Sequence, residues 1–379
     1  MKRLNLLIIV YCIIVVLSVM YATQPLQPLL AKKFEVSVTQ ASWFTAVIML
    51  FLAISPIVYG YILEKICAKK MLFNSSLILL ITNIFLAEVS SYKLFLFFRV
   101  CEALVVPAIL TALMSILANI DKENVKYNMA IYVAATVFGG LVGRIFSGAI
   151  ATTFSYEYVF YSLSVAIFIS LFFVKKLEFE GEANLSKPAI SDIINIVKDK
   201  RFFVVYLLMF CIFFVFAGVL NVLPFRLKDI SSSINEFQIS LLYLGYGIGV
   251  VVSLMSKKLV ARLRGELNTI LFGILIFLFV TLFLIVESII LLFLLLFVFC
   301  LGMFTVHSVS TGLANSMKKE QKSLTSGMYL TFYYLGGALG SFIPSIIYDK
   351  YGWNVMIYSL MLILMFILIL VYKNRMIFK

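Results

Sequence analysis

The chain has 379 residues, of which 63% are hydrophobic and 13% charged. A water-soluble fold of this size cannot hide so much apolar surface, so the composition, with a mean hydropathy of +1.09, is that of an integral membrane protein. The excess of 31 Lys and Arg over 18 Asp and Glu is read as basic loops at a membrane surface rather than as a nucleic-acid interface.

Apolar runs fall at 4–30, 41–63, 71–91, 94–119, 128–151, 156–174, 202–225, 237–256, 268–287, 289–315, 324–347 and 354–372, each long enough to cross a bilayer as a helix. Met1-Lys2-Arg3 ahead of the first run has the charge of a signal peptide. The run continues past 20 residues with no small-x-small cleavage site, however, and is read as the first helix. The polar stretch 175–201, KKLEFEGEANLSKPAISDIINIVKDKR, divides the spans six and six and is read as a cytoplasmic linker with a short surface helix from Pro188 to Lys200. The expected organisation is an N-terminal six-helix bundle over 1–174, the linker over 175–201 and a C-terminal six-helix bundle over 202–379. With the N-terminus cytoplasmic, 23 Lys and Arg fall on that side, six on the other and two inside spans, which predicts both termini in the cytoplasm.

Few residues in the spans carry chemistry. Gln24 and Gln27 are expected to share a face at the end of span 1, as neutral donors and acceptors lining a substrate cavity. The loop after span 2, Gly60-Tyr-Ile-Leu-Glu64-Lys65-Ile-Cys-Ala-Lys69-Lys70, joins a glycine that lets helices approach to an acid that can cap or pair and a basic cluster, and it is read as a cytoplasmic gating loop. The loop after span 8, with Lys257, Lys258, Arg262 and Arg264, repeats its basic part. In span 4, Arg99 and Glu102 stand at i and i+3 on one helical face in an otherwise apolar run. Each such charge costs about 2.5–3.5 kcal/mol in a bilayer, so the two should face the bundle interior. They read as a proton or substrate relay in which Glu102 titrates, or as an ion pair pinning span 4. Glu102 is the one acid clearly within a span, so carboxylate-based coupling narrows to it.

In span 5, Gly139, Gly140 and Gly143 permit a close helix crossing, and Arg144 either binds an anionic or hydroxyl-rich substrate group or snorkels to an interface. In the second bundle Asn221 adds a neutral amide. His307, the sole histidine, has an ordinary pKa of about 6.5 that suits a proton carrier; the other reading is a hydrogen-bonded packing residue. Thr311 and Asn315 continue a polar stripe from it. Tyr329, Tyr333 and Tyr334 in span 11 either stack on a ring-bearing substrate or pack the core. Five cysteines, Cys12, Cys67, Cys101, Cys211 and Cys300, lie singly with no metal or disulfide spacing and are read as buried small hydrophobes.

The loop after span 2 resembles the G-x-x-x-D-R-x-G-R-K signature of the major facilitator superfamily, with Glu64 for Asp, Lys65 for Arg, and Cys67 and Ala68 for Gly and Arg. Arg99-Val-Cys-Glu102-Ala-Leu-Val-Val-Pro107-Ala108 is similar to the span-4 motif of its drug–proton antiporter branch. Tyr21-Ala-Thr-Gln24-Pro25, Gly139-Gly140-Leu-Val-Gly143-Arg144, Asn221-Val-Leu-Pro224, His307-Ser308 and Tyr329-x-x-Phe332-Tyr333 resemble YnfM-type inner-membrane efflux transporters. This resemblance implies an all-α integral membrane protein of twelve transmembrane helices in two six-helix halves related by an axis along the membrane normal. It also implies a monomer in the cell inner membrane that performs secondary transport.

The functional expectation is a proton-coupled exporter of a small organic molecule working by alternating access; the alternative is proton-coupled uptake of a sugar or organic anion. The expected partners are that substrate, protons and the lipid bilayer, with no nucleic acid, cofactor or metal. No G-x-x-x-x-G-K-[ST] loop is present to drive a pump, and no TVGYG-like filter to make a channel. One histidine and one intramembrane acid do not make an enzyme.

Overall fold

A computed structural model describes residues 2–63, 66–120, 125–177, 190–317 and 322–378; Glu64 and Lys65 of the expected gating loop lie outside them, as do the side-chain surroundings of Gly60. All regular structure among the described residues is helical. In chain order the helices are α1 (Lys2–Ala22), α2 (Gln27–Phe34), α3 (Val38–Leu63), α4 (Ala68–Glu88), α5 (Tyr92–Ile120), α6 (Val125–Thr153), α7 (Tyr156–Lys176), α8 (Ile190–Lys198), α9 (Lys200–Ile230), α10 (Glu236–Leu241), α11 (Ile248–Arg262), α12 (Glu266–Phe283), α13 (Ile289–Ser316) and α14 (Lys322–Lys373). A lipid solvent dictates this outcome, because a helix satisfies its backbone donors and acceptors within one segment.

One span departs from the sequence expectation, and one pair is joined more closely than expected. The run 4–30 is not one helix. α1 stops at Ala22, 3-10 bonds from Gln24 N–H to Tyr21 O and from Leu26 N–H to Thr23 O turn the chain, and α2 begins at Gln27. Pro25 is the physical reason: it donates no N–H and disfavours helical geometry at the residue before it. Gln24 and Gln27 therefore sit on different elements and do not share a helical face. At the other end of the chain, α14 is 52 residues long, about 78 Å at 1.5 Å per residue, far more than a hydrocarbon core of about 30 Å. Gly352, at φ 80° and ψ 178° inside it, interrupts the helix and separates spans 11 and 12, so the eleven apolar helical segments among the described residues provide for twelve crossings. Cys67 is exposed, unlike the buried thiol expected, because it precedes α4 instead of lying in an apolar run.

The chain forms two compact units, one of residues 1–36, 43–187 and 235–241, the other of 37–42, 188–234 and 242–379. They are built on one pattern. In the first, Gly139 and Gly143 of α6 meet α1 backbone to backbone: an added Cβ on Gly139 would stand 2.8 Å from Ile14 Cα, and one on Gly143 would collide with Ser18. Ser18 Oγ donates to Gly139 O across this crossing (3.1 Å). In the second, Gly336 and Gly340 of α14, each 197 residues further on, meet α9 at Phe210 and Phe214 in the same way. Small residues let helix backbones close on each other where lipid supplies no hydrophobic drive between helices. Gly340→Ala should cost about 1–3 kcal/mol, the usual overpacking penalty, since the new methyl meets Phe214 backbone and not a mobile side chain. Equilibrium unfolding of the purified protein measures it.

Candidate functional site

The break after α1 is held by two arginines. Arg99 of α5 is completely buried. Its Nε and Nη2 donate to Phe44 O of α3 at 3.0 and 2.7 Å, and Nη2 also reaches Met20 O at 3.3 Å and Thr23 Oγ1 at 3.2 Å. Met20 lies in the last turn of α1, where backbone carbonyls lack a helical donor. One guanidinium thus closes the end of α1 and ties it to α3, which its planar fork of donors allows and an ammonium would not.

Nη1 of Arg99 donates to Glu102 Oε2 at 2.5 Å, with both side chains fully buried. The other carboxylate oxygen, Glu102 Oε1, has no hydrogen-bond partner among the described residues. One turn toward the start of α5, Phe95 packs against Phe44, Phe34 and Phe160 with ring centroids 4.9, 5.1 and 5.7 Å away, an apolar plug beside the ion pair.

Arg144 of α6, 1% exposed, takes the other side of the break. Its Nε donates to Gln24 Oε1 at 2.7 Å, its Nη1 to Gly140 O at 2.9 Å, and its Cζ lies 3.9 Å above the Tyr21 ring. Gly140 makes the room: a Cβ there would stand 3.1 Å from that ring and 3.3 Å from Arg144 Nη1. Residues 20–24 are therefore shared, Met20 and Thr23 by Arg99, Tyr21 and Gln24 by Arg144. Gln27 does not join this set; its Nε2 donates to Thr45 Oγ1 of α3 at 2.9 Å. Lys69 lies at the start of α4, apart from these residues.

In the second unit the corresponding place is neutral. Asn221 and Ser341, each 197 residues beyond Gln24 and Arg144, pair through Asn221 Nδ2 to Ser341 O at 3.1 Å. The polar group of this unit is instead a set of rings between α13 and α14. Tyr329 Oη and His307 Nδ1 are 2.9 Å apart, and Thr311 Oγ1 donates to Tyr329 Oη at 3.0 Å. Tyr333 lies with its ring centroid 4.8 Å from His307 and 3.8 Å from Phe213, nearly parallel to the latter. The structure thus brings together His307, Tyr329 and Tyr333, and it brings together Arg99 and Glu102.

The sequence reading missed Phe44 and Met20, which act through backbone carbonyls and carry no side-chain signal. It also missed Phe213, one of many phenylalanines in an apolar helix, and Asn83, a polar residue in the third apolar run. Asn83 of α4 is fully buried, and neither its amide oxygen nor its nitrogen has a hydrogen-bond partner among the described residues. An unsatisfied buried amide costs about 1–3 kcal/mol. Asn83→Leu, which keeps the branching of the side chain and removes its polar atoms, should therefore raise the unfolding free energy, as denaturant titration will show.

Described residues that are helical throughout, long apolar helices and buried cations at a broken helix end are those of a multi-pass membrane protein, for unwound backbone inside a membrane persists only where protein or a cavity satisfies it. The model of the Major Facilitator Superfamily matches residues 9–318 and 233–376, and the chain belongs to that family. It is 23% identical over 343 residues to the inner membrane transport protein YnfM of Escherichia coli (strain K12), covering 89% of this chain and 82% of that one. To the MFS-type transporter YybF of Bacillus subtilis (strain 168) it is 22% identical over 343 residues, covering 89% and 84%. The crystal structure of a point mutant of the nucleoside transporter NupG superposes with a TM-score of 0.81 at 14% identity over the whole of both chains, a likeness of fold. The chain is a transporter and not an enzyme.

Proposed function

We propose that the protein is a proton-coupled exporter of a small organic molecule that works by alternating access, with both termini cytoplasmic and with halves 1–174 and 202–379. The observation that carries this reading is Glu102: a fully buried carboxylate with one oxygen on Arg99 and the other without a hydrogen-bond partner among the described residues. Oε1 is the atom that takes the proton, because Oε2 is committed to the guanidinium. The two units divide the work. The first holds the buried charges, and the second, through His307, Tyr329 and Tyr333, offers a ring surface with a hydroxyl–imidazole pair for the substrate. The buried Arg144, with Gln24 and Tyr21, suits an anionic or hydroxyl-rich group, the feature that favours the second reading, uptake of an organic anion.

Inside-out vesicles carrying a compound to which a deletion strain is hypersensitive test both. An exporter accumulates it when the lumen is acidic and stops on addition of a protonophore. An uptake carrier does not accumulate it, and gradient-independent flux would remove proton coupling.

A further inference from the structure

The ends of α4 and α7 bring four lysines together in the first unit. Lys69 Nζ donates to Lys175 O at 3.3 Å, which satisfies a carbonyl in the last turn of α7 and fixes the start of α4 against it. Lys70 and Lys175 are exposed at this junction, as is Lys176. Lys175 Nζ lies 5.6 Å over the Phe73 ring of α4, and Lys176 Nζ 4.4 Å over the Phe172 ring of α7. These contacts hold the two ammoniums against ring faces, which limits the freedom a ligand would otherwise have to remove. None of the four is bonded to a carboxylate among the described residues. Along the same two helices exposed apolar side chains follow, with Leu77 and Ile81 on α4 and Phe168 and Phe172 on α7.

Like charges gathered at a helix end above an apolar face complement one molecule better than any other: an anionic phospholipid, its phosphate among the ammoniums and its acyl chains along α4 and α7. Basic pockets of this kind between transmembrane helices recognise anionic headgroups. We propose that the α4–α7 junction is a binding site for such a lipid.

The test uses the full chain purified in detergent, with lipid retention followed by native mass spectrometry and by the thermal midpoint during titration with dioleoyl phosphatidylglycerol or dioleoyl phosphatidylcholine. The protein should retain and be stabilised by phosphatidylglycerol in preference to phosphatidylcholine. Lys175→Gln with Lys176→Gln should weaken that affinity roughly tenfold, while Lys175→Arg with Lys176→Arg keeps it within about twofold, as charge complementarity requires. Lys257→Gln with Lys258→Gln, an adjacent lysine pair in the other unit, should leave it unchanged. Equal affinity for the two lipids, an equal loss in the Lys257/Lys258 control, or displacement of phosphatidylglycerol by millimolar inorganic phosphate would each overturn the proposal. If the Gln pair fails to fold, the lipid preference of the unaltered protein and of the Arg pair still decides.

Discussion

Glu102→Gln should leave the protein folded and able to equilibrate substrate across the membrane while abolishing its response to a pH gradient. Glutamine has nearly the same shape, and its amide oxygen can still accept from Arg99 Nη1 where Glu102 Oε2 now does, so α5 keeps its connection to the end of α1. What disappears is the ability of a buried group to exist in two charge states, which is the physical content of coupling. A gradient of one pH unit stores about 1.4 kcal/mol per proton, enough for about tenfold accumulation at one proton per substrate. The substituted protein should accumulate about onefold, that is, not at all, in vesicles where the unaltered protein approaches tenfold. Glu102→Asp, which preserves the titrating group, should retain gradient-driven accumulation. Full accumulation by the Gln variant would transfer the role to another group, with His307 the first to examine.

The second large effect is expected at Arg99. Arg99→Ala strips Glu102 of its counter-charge inside the protein and at once deprives Met20 O, Thr23 Oγ1 and Phe44 O of a donor. Breaking a buried pair from one side costs about 3–5 kcal/mol, a large share of the roughly 5–15 kcal/mol that holds a typical domain folded. The variant should reach the membrane at low yield and unfold at markedly lower denaturant. Arg99→Lys should recover only part of this, since one ammonium cannot serve α1 and α3 together as the guanidinium fork does. Removing both charges, as Arg99→Leu with Glu102→Leu, should be less damaging to stability than Arg99→Ala alone, for it leaves no unpaired charge behind. A double-mutant cycle on unfolding free energy separates the pair's interaction from the bonds Arg99 makes to backbone.

Much of this arrangement is legible in the amino-acid order. Hydropathy alone yields the spans, because a helix in lipid must be apolar over its whole length. The three-residue spacing of Arg99 and Glu102 places them on one face, where they meet, and the glycines of span 5 mark the close approach of α6 to α1. The end of span 1 differs from its reading because an apolar run can continue across a proline-induced break; Pro25 is the available signal. That break sends Gln24 to Arg144 and Gln27 to Thr45. The partners of Arg99 are beyond reach for a different reason: they are main-chain oxygens, and a sequence says nothing about which carbonyl a distant side chain will find. The pairing of His307 with Tyr329, 22 residues apart, depends on how α13 meets α14. The recurrence of Gly139 and Gly143 at Gly336 and Gly340 is written in the chain, and only their matching backbone contacts give the recurrence a structural meaning.

The chain just past α1 carries a proline and a run of turns, which in isolation would make it the most compliant stretch of the first unit. Clamped from α5 by Arg99 and from α6 by Arg144, at the end of a helix whose Ile14 and Ser18 rest on the glycines of α6, it is expected to be the opposite. A wedge tied in this way should move as one piece, and displacement that accompanies the passage of cargo is then expected in other parts of the molecule.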